Sequence, residues 1–218
     1  MQFDSTHHPA WPNQQTPSHL QRLAALGEPC HFEPDAVLLH EGEESSHLYV
    51  LLAGCLRVFT SNEQGRQLVL NDIHPVECVG EMSLDGGPRS ATVKAIQTSH
   101  CARIDRQTLL NYFRQEPEFA LELLQQVIFK ARMASRQAGD LALLDTYRRL
   151  SLWIQTHAVH LNAQGFRTTT AVTHTELAEH IGCTREMVSR LLKDLQAGQY
   201  IRMEQRSLVL LRPLPPRW

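Results

Sequence analysis

From Pro117 to about Leu144 the chain has no further proline and a single glycine, Gly139, and its apolar residues return at alternating intervals of four and three. Ala120, Leu124, Val127, Ala131, Ala134, Ala138 and Leu141 make this stripe. A repeat averaging 3.5 residues stays on one side of an α-helix, so the segment has to form one long helix with a narrow apolar seam. Pro117 suits the first position of that helix, where a missing N–H costs nothing. The seam residues are mostly small, which lets a second helix approach closely. A helix packed wholly on its own domain is the alternative, but the seam is longer than a small neighbouring domain can cover. The spacing therefore predicts a homodimer built on these seven positions.

N-terminal to that helix the period drops to two. Segments Ala36 to His40, Leu48 to Leu52, Leu56 to Thr60, Gln67 to Leu70, Ala91 to Ala95 and Cys101 to Ile104 are rich in β-branched or alternating apolar residues. Turn clusters lie between them, at Glu41 to Ser46, Ala53-Gly54, Ser61 to Gly65 and Gly86 to Pro88. Short strands at such regular spacing predict an antiparallel barrel or roll. Leu20 to Leu26, closed by Gly27, reads as a short helix before it. Residues 1–17, polar and carrying Pro9, Pro12 and Pro17, read as a flexible tail.

Charge divides the chain at about Asp145. Residues 1–145 hold 11 Lys and Arg against 18 Asp and Glu, a net of −7; residues 146–218 hold 10 against 5, a net of +5. Basic charge gathered in one segment points to a polyanionic partner for that segment. No run of about 18 apolar residues is present, which excludes a membrane span. The N-terminus lacks a basic start followed by an apolar stretch, so a cytoplasmic location is expected. Five scattered cysteines without a C-x-x-C pair argue against a zinc ribbon or a disulfide framework and for small core residues. No paired carboxylates, nucleophile elbow, phosphate loop or metal-ligand spacing appears, so neither an enzyme nor a metal protein is expected.

The basic segment contains a local DNA-reading pattern. Thr173-His-Thr-Glu176 is a capping box, opening a short helix through Leu177, Ala178 and Ile181 that stops at Gly182. Thr184 can cap a second helix, in which Val188, Leu191, Leu192 and Leu195 form one apolar face. Arg185, Glu186, Ser189, Arg190 and Lys193 fall opposite. Gly198 is expected to close this helix in the left-handed conformation. Ile201 to Glu204 and Leu208 to Leu211 make a two-stranded wing. Two helices joined at a glycine, the second polar and Arg-bearing, form a helix-turn-helix that lays the second helix in the major groove. Arg185 and Arg190 can each grip guanine O6 and N7, and Glu186 can accept from cytosine N4.

Two further segments carry a family resemblance. Gly80-Glu-Met-Ser-Leu, followed after four residues by Arg89-Ser-Ala, resembles the phosphate-binding cassette of the Crp/Fnr family of bacterial transcription regulators. Gly182 to Lys193 resembles its recognition helix, and Asp140 to Asp145 resembles its interdomain hinge. The resemblance runs from about Leu20 to Leu211. It implies an α+β fold: an N-terminal cyclic-nucleotide-binding-like antiparallel β-roll, a long dimerisation helix and a C-terminal winged helix-turn-helix. The domains expected are an effector-sensing roll over 18–116, the dimerisation helix and hinge over 117–145, and the DNA-binding domain over 146–218. At the DNA end it implies an inverted repeat with TGTGA-like half-sites, contacted through Thr184, Arg185, Glu186, Ser189, Arg190 and Lys193, and a possible RNA polymerase partner. At the sensor end it implies a cyclic nucleotide, cAMP foremost, held by Gly80, Glu81, Met82, Arg89 and Ser90. There Arg89 would neutralise the cyclic phosphate, Ser90 would donate to it, and Glu81 would accept from the ribose hydroxyl.

Three departures from the family pattern leave the effector open. Val76-Glu77 replaces the usual Gly-Asp, the loop Asp85 to Pro88 is one residue shorter than in the catabolite activator, and one of two adenine-contacting hydroxyl residues on the long helix is absent, the pair being Ala134 and Ser135. Cyclic GMP, cyclic di-GMP, haem or another gas-sensing group, and no ligand remain alternatives, as does a nucleotide-binding module that does not bind DNA. A structural role, with Glu81 and Arg89 pairing to hold the loop, is the plain alternative to effector binding. The expected mechanism is allosteric, the effector setting the packing of the long helices and so the spacing of the reading helices. Replacing Arg89 by alanine is expected to abolish a nucleotide response with the fold intact.

Overall fold

The computed structural model describes residues 18–218, so the expected tail over 1–17 lies outside the described residues. They fall into two compact units, one running to Ser135 and the other from Arg136 to Trp218.

The first unit opens with helix α1 (His19–Ala24), whose N-terminus Ser18 and Gln21 close as a reciprocal capping box. Strands β1 (Glu28–Phe32), β2 (Val37–Leu39), β3 (Leu48–Ser61), β4 (Gln67–Ile73), β5 (Cys78–Val79) and β6 (Thr92–Ile104) follow. Every pairing is antiparallel, in the order β1-β6-β3-β4, with β2 on β6 and β5 on β3. This is the antiparallel β-roll that the strand spacing predicts.

The strands differ from expectation in one respect. Leu48 to Leu52 and Leu56 to Thr60 are parts of the single strand β3, and Ala91 to Ala95 and Cys101 to Ile104 lie along the single strand β6. Ala53-Gly54 bends the chain without reversing it. Gly54 has φ +102°, and a Cβ there would stand 2.3 Å from the Ser99 hydroxyl. That hydroxyl accepts from the Cys55 N–H at 3.2 Å and lies 3.3 Å from the Cys55 carbonyl. The ladder slips register between Leu51 and Leu56, as a bulge does, and continues on the far side.

Leu51, Leu56, Ile73, Val93 and Ala95 fill the interior of the roll. A second cluster, including Leu23, Leu48, Ile104, Leu109, Phe119 and Leu123, packs the helices onto it. Helix α2 (Arg106–Gln115), absent from the sequence expectation, begins at Asp105, whose carboxylate accepts from the Thr108 N–H. Helix α3 (Pro117–Leu143) is the long helix. It buries Phe119 and Leu123, whereas Leu121, Leu124, Ile128 and Met133 are exposed. Of the expected seam, Leu124, Ala131, Ala134 and Ala138 are exposed and Ala120, Val127 and Leu141 are half-buried.

The second unit holds α4 (Thr146–His157), β7 (His160–Leu161), β8 (Arg167–Thr168), α5 (His174–Ile181), α6 (Arg185–Ala197), β9 (Ile201–Glu204) and β10 (Ser207–Leu210). Leu150, Ile154, Leu177, Ile181, Val188, Leu192 and Leu208 form its core. Arg149 ties α4 to the end of α5 and to the preceding chain, donating to the Ile181 carbonyl at 2.8 Å and the Leu144 carbonyl at 2.7 Å. The wing strands β9 and β10 meet through Gln205 and Arg206, both at positive φ, as a tight hairpin turn requires. Gly198 departs from expectation: it stays right-handed at φ −74°, and the left-handed position falls on Gln199 at φ 58°. Small size is what Gly198 supplies, since a Cβ there would meet the Tyr200 ring at 2.9 Å.

Candidate effector cassette and nucleic-acid interface

The cassette begins where β5 ends. Gly80 turns the chain at φ +93° into a single 3-10 turn over Glu81–Ser83. No other residue fits there, because a Cβ would stand 2.6 Å from Arg89 Nη1 and 3.1 Å from the His47 carbonyl oxygen. Arg89 folds back beneath this turn and is buried, with 3% of its surface exposed. Its Nη1 donates to the Gly80 carbonyl at 2.7 Å and the Ser83 hydroxyl at 2.6 Å. Its Nη2 donates to the Ser45 hydroxyl at 2.5 Å and to the His47 carbonyl. Burial lowers the Arg89 pKa, against the raising influence of Tyr49, Glu43 and Glu81. Burial and the Arg89 charge together lower the His47 pKa, which favours its neutral ring.

Glu81 is buried as well and pairs not with Arg89 but with Lys130 of α3, at 2.8 Å. The same ammonium donates to the Cys78 carbonyl at 2.9 Å. Burial opposes charge on Lys130, but Cys78 and then Glu81 outweigh it and hold the pKa above the ordinary lysine value. Within the cassette, two buried polar atoms are left without partners, the second carboxylate oxygen of Glu81 and Nε of Arg89. One accepts and the other donates, which fits a ligand carrying a hydroxyl and a phosphate.

Of the remaining sequence candidates, Met82 and Ser90 are exposed on the cassette surface, and Ala134 and Ser135 are exposed on α3. Lys130 was not among the candidates. Its only sequence signal is its place one helical turn before Ala134, on the same helix face. The expectation that Arg89 can be removed with the fold intact needs correction, because its guanidinium joins the 45–47 loop to the 80–83 turn. His74, a histidine within reach of the sequence alternative of haem, lies exposed in a turn with its N–H bonded to the Glu77 carboxylate. Among the described residues, no group of three or more His, Cys, Asp or Glu is placed to hold a metal ion.

The helix-turn-helix is built locally. The Thr173 hydroxyl accepts from the Glu176 N–H at 3.1 Å while the Glu176 carboxylate accepts from the Thr173 N–H at 2.7 Å. Gly182 ends α5 in the left-handed conformation at φ +66°, and Thr184 caps α6 through the Met187 N–H. Val188, Leu191, Leu192 and Leu195 are buried against the unit's core. Thr184, Arg185, Glu186, Arg190 and Lys193 are exposed and Ser189 is half-buried, so the polar residues of α6 share one open face. His174, at the start of α5, bonds to the Ser189 hydroxyl at 2.8 Å. Among the described residues, no helix is long and apolar enough to cross a membrane.

Comparisons with known proteins fall on these two places. A sequence model of the cyclic nucleotide-binding domain matches residues 29–116, and that of the crp family of bacterial regulatory proteins matches residues 171–201. The chain is 28% identical over 208 residues to the cAMP-activated global transcriptional regulator CRP of Pasteurella multocida, covering 90% of this chain and 98% of that one. It is 26% identical over 198 residues to the CRP-like cAMP-activated global transcriptional regulator of Mycobacterium tuberculosis, covering 89% and 88%. Its fold matches the structure of the c-di-GMP-responsive global regulator CLP of Xanthomonas campestris with a TM-score of 0.80 at 23% identity, over 88% of this chain and 97% of that one. A Crp/Fnr-family regulator of Thermus thermophilus matches with a TM-score of 0.68 at 25% identity, over 85% and 94%. Sensor roll and DNA-reading helix thus occur on one chain in the order shared by these regulators, and the protein belongs to the Crp/Fnr family of DNA-binding transcription regulators with an effector-binding domain.

Proposed function

We propose that the protein works as a cytoplasmic homodimer whose roll takes a cyclic nucleotide, cAMP foremost, and whose paired α6 helices read an inverted repeat with TGTGA-like half-sites. The observation that carries the effector reading is the pair of unpartnered buried atoms, Glu81 Oε2 and Arg89 Nε. A ribose hydroxyl would satisfy the first and a cyclic phosphate oxygen the second. Gly80 would allow the ligand close to the backbone, Met82 and Ser90 would border it, and Ala134 and Ser135 would approach the base. A ligand-free regulatory roll is the second reading, and it too has an observation: all four Nη bonds of Arg89 already go to protein oxygens. On the first reading the phosphate replaces some of these bonds.

Dimerisation is assigned to α3. Its exposed apolar residues Leu121, Leu124, Ile128, Ala131 and Ala138 follow three-four spacing with Ser135, and Leu124, Ala131 and Ala138 are also members of the seam expected from sequence. Ala120, Val127, Ala134 and Leu141 would flank the contact. Two α6 helices held by such a pair match a palindrome whose half-sites lie about one DNA turn apart. Contact with RNA polymerase would complete an activator's role.

Calorimetric titration of the purified protein with cAMP, cGMP and cyclic di-GMP, followed by mobility shift on a TGTGA palindrome, tests this reading. Binding of cAMP that tightens the operator complex is expected. Equal operator binding with and without all three nucleotides would leave the ligand-free reading standing.

A further inference from the structure

His174 and Ser189 belong to different helices, yet the ring Nδ1 of one lies 2.8 Å from the hydroxyl of the other. Ser189 stands on the open face of α6, between Arg185 and Arg190 in sequence, and both partners are half-buried. The structural duties at this place are already met by other groups. The N-terminus of α5 is closed by Thr173 and Glu176, and the two helices are joined through Leu177, Ala178, Ile181, Val188 and Leu192. The bond from His174 to Ser189 is therefore additional to the contacts that already close and join the two helices.

A free serine hydroxyl rotates and can donate to or accept from a base edge, so by itself it discriminates poorly. A bonded hydroxyl has one of its roles taken. With the proton on Nδ1, the ring donates to Ser189 and the hydroxyl proton is left to meet an acceptor such as guanine O6, thymine O4 or a purine N7. With the proton on Nε2, Ser189 donates to the ring and its lone pairs are left for a donor such as cytosine N4 or adenine N6. We propose that His174 is a positioning residue for sequence readout: it sets the role of the Ser189 hydroxyl, and the base chosen at that point of the half-site is the choice of the pair. This rests on the reading of α6 as the helix that enters the major groove.

The test uses the full chain and the palindrome, with every half-site base pair varied in turn, and compares wild type with His174→Ala, His174→Asn, Ser189→Ala and the double alanine variant by competition binding. At one position per half-site, each single alanine variant is expected to lose roughly fivefold of discrimination, as for one hydrogen bond to a base edge. The double variant should lose no more than either single one, and preferences at other positions should stay intact. His174→Asn, whose amide reaches the place of Nδ1, should restore part of the loss. The proposal is overturned if His174→Ala leaves all preferences unchanged, weakens every sequence equally, or adds its loss in full to that of Ser189→Ala. A wild-type protein with no base preference at any position would instead overturn the DNA reading itself.

Discussion

The arginines of the two units differ in what surrounds them. Arg89 is buried under the cassette turn with both Nη groups bonded to protein oxygens from residues 45, 47, 80 and 83. Arg185 and Arg190 stand on the open face of α6, exposed. The same guanidinium serves as an internal brace in one unit and as an outward fork in the other. A ligand bound through the Arg89 Nη groups would have to exchange bonds with the fold, so binding there would be coupled to stability. A ligand on α6 would meet exposed side chains, whose loss is expected to leave the fold nearly unchanged.

Removing Arg89 is the sharpest way to break this contrast. Arg89→Ala removes the four hydrogen bonds of a buried guanidinium and empties the space beneath the cassette turn, and should cost about 3–5 kcal/mol of unfolding free energy in a urea titration. A midpoint equal to wild type would show that Arg89 braces nothing. Lys130→Met comes next, since it leaves the buried Glu81 carboxylate without its cation, and about 3 kcal/mol should be lost. Adding Glu81→Gln to it should recover part of that loss; no recovery would mean that packing of the lysine stem, not charge, is what matters. Arg185→Ala should leave the denaturation midpoint within about 0.5 kcal/mol of wild type. It should nonetheless weaken specific operator binding by about 1–3 kcal/mol with little change on random DNA.

The smallest effect per group belongs to the thiols of the first unit. Burial pushes Cys55 up to about 11 and Cys78 and Cys101 up to about 12. The folded state keeps these protons while the unfolded chain releases them above about 8.5, so stability must fall as pH rises past that value. The loss should be under about 1 kcal/mol per thiol at pH 9. At pH 9 it should be seen in the roll, which holds all three of these thiols. Equal alkaline softening of both units, followed by hydrogen exchange, would contradict this.

The helix-turn-helix was legible residue by residue because its determinants are local. A capping box, a glycine that stops the first helix and an i, i+3, i+4, i+7 stripe all act within a turn or two of the chain and appear as expected, whereas the left-handed position expected at Gly198 falls on Gln199. The long helix was legible for the same reason, through its period and Pro117. Roll strands were recognisable as strands, but Gly54 looked like a reversal, because its meaning depends on Ser99 of another strand. Location of the cassette came from resemblance, and the identity of its arginine with it. What Arg89 and Glu81 touch was decided by tertiary structure alone. Their partners come from a loop 42 to 44 residues earlier and a helix 49 residues later, brought in by core packing. Short-range hydrogen bonds and apolar period are written in the order of residues, whereas a buried charge takes whatever partners the packed core leaves within reach.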